Sequence, residues 1–145
     1  MNTYKETILQ AIETAIINAN IATNVFRSRY TPLSFVDGEF PAIVIKRGQE
    51  TVDNLNQAIA MRRFQVRIES HARGNPSDQV ADILSSQVSN LLLADQTLSG
   101  TVQRVFETEV LEPEFPDGDG IQCSIPVIYT FCYATSAKDG SKLAR

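Results

Sequence analysis

An unbroken alternation of apolar residues over positions 120–134 constrains the fold of this 145-residue chain more than any other feature. Every second residue there is apolar: Ile121, Cys123, Ile125, Val127, Tyr129, Phe131 and Tyr133. Because successive side chains of a β-strand point to opposite faces, this spacing predicts one long strand with one buried face. Pro126 lacks the amide hydrogen that a sheet ladder uses, so we expect this strand at a sheet edge or at a bulge.

Other segments also have the composition of strands. In residues 61–70, three apolar residues (Phe64, Val66 and Ile68) alternate with four polar ones (Arg63, Gln65, Arg67 and Glu69). This pattern predicts a strand whose outer side is a charged stripe. Residues 24–31, 41–48 and 101–111 are further predicted strands. The polar residues 49–60 are expected to form a loop or a hairpin excursion.

Two segments have the apolar spacing of amphipathic helices. Residues 4–22 follow a Thr3–Glu6 capping box, and their predicted buried face consists of Ile8, Ala11, Ile12, Ala15, Ile16 and Ala19. Residues 76–94 follow Asn75 as N-cap with Pro76 at the first helical position, and their predicted buried stripe consists of Val80, Ile83, Leu84, Val88, Leu91 and Leu92.

The order of helix, strands, helix and strands predicts an α+β fold. We expect two helices packed on one face of a mainly antiparallel or mixed β-sheet, in a single domain over residues 1–135. The polar residues 136–145 are expected to form a flexible C-terminal tail.

Composition limits the classes of function. The chain is 43% hydrophobic and 21% charged, which is typical of a globular domain and not of a disordered one. Its net charge of −4 argues against a dedicated nucleic-acid binder, because affinity for phosphates comes from an excess of Lys and Arg. No apolar run approaches the roughly 20 residues that cross a bilayer. The N-terminus lacks the features of a secretory signal, so we expect synthesis in a cytoplasm.

The stretch LADQTLSG collects Asp95, Thr97, Ser99 and Gly100, and this composition suits either a reactive loop or a structural corner. The corner is favoured, because Asp95 follows the last periodic leucine and Gly100 permits a reversal of the backbone. The sequence contains no glycine-rich phosphate loop and no G-x-S-x-G motif. We therefore predict no catalytic residue and no enzyme.

The remaining candidates for chemistry have ordinary structural interpretations. His71 is expected to be an exposed residue of a surface turn and not a general base. Cys123 and Cys132 should lie on opposite faces of one strand, too far apart for a disulfide. The sequence DGDG (117–120) resembles a calcium loop but lacks the ligands at its other positions, so a hairpin turn is predicted. We predict neither a metal nor a cofactor.

The segments PAIVIKRGQE, MRRFQVRIESHARG and LLLADQTLSGTVQRV, with the closing strand IPVIYTFCYAT, together resemble the tail terminator (minor tail or tail completion) proteins of long-tailed bacteriophages. The resemblance covers residues 4–134. Its most specific part is the turn after the second helix, and Tyr129 in the closing strand is a second marker. Ser99 stands where the family often has a glycine.

The resemblance implies a structural virion protein and no catalytic residues. Such proteins form a hexameric ring at the head-proximal end of the tail tube, where the ring stops tube polymerisation and offers a surface to head-completion proteins. DNA passes through its lumen without specific binding, and no membrane is involved. Assembly would take place in the bacterial host cytoplasm.

A closed ring needs two different, complementary patches on each subunit. Arginines crowd residues 62–73, and an acidic stretch follows Arg104. The candidate subunit interface therefore pairs Arg63 and Arg67 with Glu107, Glu109, Glu112 or Glu114 of a neighbour; the alternative is that these charges are solvated or pair within one sheet. Candidate partner contacts are Leu33, Phe35, Val36 and Phe40, unless Phe35 and Phe40 pack on the helices.

Two other functions remain open at this point. One is a head-closure or neck adaptor ring of the same particle. The other is a small ligand-binding or hydrolytic α+β domain.

Overall fold

The computed structural model describes residues 3–116, 118 and 120–143, and two helices and six strands lie within them. In chain order the elements are α1 (Tyr4–Asn18), β1 (Asn24–Arg27), β2 (Ala42–Asn54), β3 (Ile59–Arg73), α2 (Ser77–Ala94), β4 (Arg104–Val110), β5 (Gln122–Ser136) and β6 (Asp139–Leu143). The predicted α+β fold is confirmed. Neither helix combines the length and the apolar character that crossing a membrane would require.

The sheet is mixed, with the strand order β1-β2-β3-β5-β4, and β6 is paired with the end of β5. β1 runs parallel to β2, and the other pairs are antiparallel. Both helices pack on one face of this sheet. The core between them contains Ile8, Ile12 and Ile16 of α1, Leu84, Val88 and Leu92 of α2, and Phe64, Val66, Tyr129 and Phe131 of the sheet.

The predicted apolar face of β5 is buried from Cys123 to Tyr133, but the expectation of a single buried face is wrong, because Ser124, Pro126 and Thr130 on the opposite side are buried too. The predicted edge position is wrong, because β5 lies between β3 and β4. The carbonyl of Pro126 accepts a hydrogen bond from the amide of Leu111, so the missing donor faces the β4 side. Because β4 ends at Val110, β5 has almost no partner strand on that side at Pro126, and the missing amide hydrogen removes few sheet hydrogen bonds.

The helices differ from the sequence expectation in their ends and in one buried face. α1 ends at Asn18, four residues earlier than expected, and Thr3 accepts the predicted capping hydrogen bond from the Glu6 amide. α2 has Pro76 as its N-cap residue, one position later than expected. Val80 and Ile83 are exposed, whereas Ala81 and Ser85 are buried. These small residues let α2 lie close to the sheet, and this rotates its buried stripe.

Of the two alternatives predicted for residues 49–60, the structure has the hairpin, and the C-terminal tail is more regular than expected. Residues 49–60 continue β2 to Asn54 and turn into β3 at Ile59, so they form the end of a long hairpin. The bulge in this hairpin lies between Arg47 and Glu50. In the tail, Asp139–Leu143 form β6, because β4 begins opposite Cys132 and leaves that side of β5 free for pairing at Thr135 and Ser136. Residues 144 and 145 lie outside the described part.

Candidate functional site

The side of the sheet opposite the helices, here called the outer face, gathers most of the predicted site residues. On β3 it contains Arg63, Arg67, Glu69 and His71, which alternate with the buried residues of the core. Because residues that are paired across strands share a face, Lys46 lies beside Arg67 on this side. The predicted charged stripe is therefore present, but not all of it is exposed.

Glu69 is the centre of an ionic cluster and is only 4% exposed. Its Oε2 accepts hydrogen bonds from Arg67 Nε at 2.7 Å and from Lys46 Nζ at 3.0 Å. Its Oε1 lies 2.9 Å from His71 Nε2. Arg67 uses its second nitrogen to contact Glu114 Oε1 at 3.1 Å. These five residues form the Glu69 cluster, in which the buried carboxylate has three nitrogen partners.

Burial by itself raises the pKa of Glu69, but hydrogen bonds from His71, Arg67 and Lys46 outweigh it and lower the pKa to about 2. The carboxylate is therefore charged at neutral pH and cannot act as a general acid there. The expectation that His71 lies in an exposed turn is wrong. His71 belongs to β3, and its half-buried ring contacts Glu69 because β3 continues three residues beyond the predicted end at 70.

A cleft of about 170 Å³ lies beside the Glu69 cluster. Its walls include Tyr30, Leu33, Phe40, Glu69 and His71. The Lys46 ammonium lies 4.8 Å from the centre of the Tyr30 ring. The loop that contains Leu33 and Phe40 therefore covers the part of the outer face beside Glu69 and His71.

The tip of the same loop is exposed. Phe35 is 61% exposed and Val36 is 92% exposed. The Arg73 guanidinium lies 4.1 Å from the centre of the Phe35 ring, so Phe35 contacts the β3 end and not a helix. Glu39 fixes the loop, because it accepts two hydrogen bonds from Arg29 and one from the Ser34 amide. The partner-contact candidates are thus divided between the cleft and the tip.

The structure separates the six charges that were predicted for a subunit interface into two groups. Arg67 and Glu114 contact each other within one chain. The other four, Arg63, Glu107, Glu109 and Glu112, are exposed. Within residues 3–116, 118 and 120–143, none of these four makes an ion pair. The intersubunit pairing itself stays a prediction.

Sequence reasoning missed Arg104, which lies on the outer face opposite Cys132. Cys132 is in turn opposite Arg63, so the three residues form one row across β3, β5 and β4. We call them the arginine row. Burial raises the pKa of the Cys132 thiol more than the two arginines lower it. The register of β4 on β5 brings the row together, and this register cannot be predicted from a local sequence pattern.

The corner after α2 is structural. Asp95 is the C-cap residue, and its carboxylate accepts hydrogen bonds from the Thr97 hydroxyl at 2.8 Å and the Ser99 amide at 2.8 Å. The Ser99 amide and the Thr97 hydroxyl lower the pKa of Asp95. Leu98 is buried, and Gly100 has a φ of +82°, as a reversal of the backbone requires.

The cysteines and possible metal ligands were also located. Cys123 is buried on the core side and Cys132 is half-buried on the outer side, and both are free thiols. Asp117 and Asp119 of the DGDG stretch lie outside the described residues. In the part of the chain that the structure describes, no group of three His, Cys, Asp or Glu side chains is arranged to hold a metal ion.

Comparisons with known proteins give little further information. No protein-family model matches the chain, and no curated protein matches it. One solved structure with a similar arrangement is described as "Virion of native gene transfer agent (GTA) particle". The match has a TM-score of 0.41 and 17% sequence identity, and covers 86% of this chain and 87% of that chain. Values this low assign neither a family nor a function.

Proposed function

We propose that this chain is a structural protein of a phage-like virion, and that it forms a ring that ends the head-proximal side of the tail tube. The observation that supports this most is the sequence resemblance to tail terminators over residues 4–134. The segments of that resemblance form consecutive parts of one sheet-and-helix domain. Its most specific segment, LLLADQTLSGTVQRV, forms the end of α2, the Asp95 corner and the start of β4.

The charge distribution suits a subunit of a closed ring. A ring requires head-to-tail contacts between two different patches of each subunit. Among the described residues, exposed arginines without an ion pair lie on the outer face, and exposed glutamates without an ion pair lie along β4, where complementary charge would favour one orientation of the neighbour. In this proposal, the ring binds the tail tube protein on one side and the head-completion or neck proteins on the other, and DNA passes through without specific contacts.

Electron microscopy of tails assembled without this protein tests the proposal. Tubes of uncontrolled length are expected, and addition of the purified wild-type protein to growing tubes should stop their extension. Tails of normal length that fail to join heads would contradict termination and support a neck adaptor. Normal tails on normal particles would contradict both roles.

Native mass spectrometry provides an independent measurement. A sixfold assembly is expected, either of the purified protein at high concentration or of protein released from tail ends. A monomer or dimer in both samples would contradict the ring and would leave a small ligand-binding domain as the better interpretation.

A further inference from the structure

The arginine row is a compact basic patch on the outer face. Adjacent strands of a sheet are about 4.8 Å apart, so the Cα atoms of Arg63 and Arg104 are separated by about 10 Å, with Cys132 between them. The Arg104 guanidinium lies 4.9 Å from the centre of the Phe106 ring, which keeps it near the sheet. Neither arginine has an ion-pair partner among the described residues. Two neighbouring cations on this patch are thus available to an outside carboxylate.

The complementary patch lies on the same chain but elsewhere. Glu107 and Glu109 belong to β4, the outermost strand beyond β5: Glu109 is paired with Ile128 and lies on the outer face, whereas Glu107 is paired with Tyr129 and lies on the helix side of the strand. Glu112 follows in the adjoining segment. All three are exposed and lack ion pairs in the described part of the chain. We call them the acidic edge. Among the described residues β4 has a strand partner on one side only, so its free edge can approach a neighbouring molecule together with these exposed side chains.

The two patches cannot neutralise each other within one chain. Arg104 and Glu109 are five residues apart on β4, which is about 16 Å in an extended strand. Glu109 is paired with Ile128, and Cys132 of the row is four residues further along β5. A second copy of the chain has no such restriction.

We propose that the acidic edge of one copy docks on the arginine row of the next, in a head-to-tail contact between subunits. This inference rests on the proposed ring function and specifies its subunit contact. It excludes Arg67 and Glu114 from the contact, because the Glu69 cluster already uses them. A nucleic acid is a poorer occupant, since the net charge of the chain is −4.

The native thiol of Cys132 allows a direct test. In a Glu109→Cys variant, the new thiol should form a disulfide with Cys132 of the neighbouring copy under mild oxidation. A disulfide within one chain is excluded, because it needs Cα atoms within about 7 Å. We expect covalent oligomers larger than dimers on non-reducing gels, both for concentrated protein and for protein assembled on tails.

Two controls accompany this variant. Glu109→Cys combined with Cys132→Ser should form no such oligomers, which identifies Cys132 as the partner. Val36→Cys places an equally accessible thiol on the 33–40 loop and should form none either. Oligomers absent from both preparations, while native mass spectrometry still shows that the variant assembles, would overturn the proposal. Dimers alone would also overturn it, because they indicate a twofold contact and not a head-to-tail one.

A charge exchange tests the same contact without cysteine chemistry. Arg63→Glu with Arg104→Glu should raise the concentration needed for assembly at least tenfold. Glu107→Lys with Glu109→Lys should do the same, and a mixture of the two variants should recover mixed assemblies. If the wild-type protein retains DNA and loses it in the arginine variant while no crosslinks form, the row binds nucleic acid and the proposal is wrong.

Failure of this contact can be distinguished from failure of the ring function. Sixfold assemblies and normal tail termination without crosslinked oligomers would show that the subunits meet elsewhere. Normal tails in the absence of the protein would instead contradict the function, whatever the crosslinking result.

Discussion

At one end of the outer face, Glu69 is enclosed by Lys46, Arg67 and His71, whereas at the other end Arg63 and Arg104 flank Cys132 without a carboxylate partner in the described residues. Both ends use charged side chains of β3, which β2 supplements at one end and β4 at the other. Removing one member of a paired, buried set of charges destabilises the fold, because its partners are left uncompensated, and such charges are unavailable to another molecule. Unpaired, exposed charges contribute little to stability and are free to bind. Mutations should therefore separate the two ends clearly.

The largest effect is expected for Glu69→Ala. Removing the buried carboxylate leaves Lys46 without its ion-pair partner and Arg67 with only the exposed Glu114, which should lower the free energy of unfolding by about 3 kcal/mol. Chemical denaturation measures this change. The matched control is Arg63→Ala on the same strand, which should cost less than about 0.5 kcal/mol. Equal losses for the two variants would contradict the division of the outer face.

Acid should remove the contribution of the Glu69 carboxylate to the free energy of unfolding. The folded-state pKa of Glu69 is about 2, below its ordinary value of 4.5, so its stabilising contribution is complete above that ordinary value and is lost as the pH falls towards 2. The stability difference between the wild type and Glu69→Gln should be large at pH 7 and shrink between about pH 4.5 and pH 2. Denaturation curves at several pH values measure it. A difference that stays constant over this range would show that the charge of Glu69 is not the cause.

Gly48 lies in the β2 bulge between the two ends of the outer face. A Cβ atom at this position would lie 2.6 Å from the carbonyl oxygen of Gln65, so Gly48→Ala forces β2 away from β3. We expect a loss of about 2 kcal/mol in denaturation. Gly38→Ala is a useful control, because Gly38 has a φ of +70° but nothing within 4 Å of the added atom. Backbone strain alone should lower the free energy of unfolding of the Gly38→Ala variant by about 1 kcal/mol.

Much of the fold could be predicted because its signals are local. The alternation in β3 and β5 identified the buried faces, and the residues of the Asp95 corner make the contacts that a helix stop requires. The rotated face of α2 could not be predicted, because it depends on how closely Ala81 and Ser85 approach the sheet. The interior position of β5 depends on the order in which the strands pair, and this order cannot be predicted from the sequence of any single strand.

The candidate site was predicted less completely for the same reason. Lys46 and Glu69 are 23 residues apart, and Arg67 and Glu114 are 47 apart, so only the sheet register brings them together. An Arg-rich strand and an acidic stretch indicated that pairing would occur. They did not indicate which pairs form within the chain and which charges remain for a neighbour.

The smallest expected effect gives the sharpest comparison, because it concerns two glutamates near each other in the sequence. Glu114→Ala removes an exposed partner of Arg67, which keeps its 2.7 Å contact with Glu69. The loss should be below about 0.5 kcal/mol, and assembly should be unchanged. Glu109→Ala should also leave stability within about 0.5 kcal/mol but should weaken assembly, since Glu109 belongs to the acidic edge. Unfolding curves and native mass spectrometry of both variants measure the two effects. A loss of assembly in Glu114→Ala would mean that the Arg67–Glu114 pair is exchanged between subunits, as charge complementarity in the sequence alone allows.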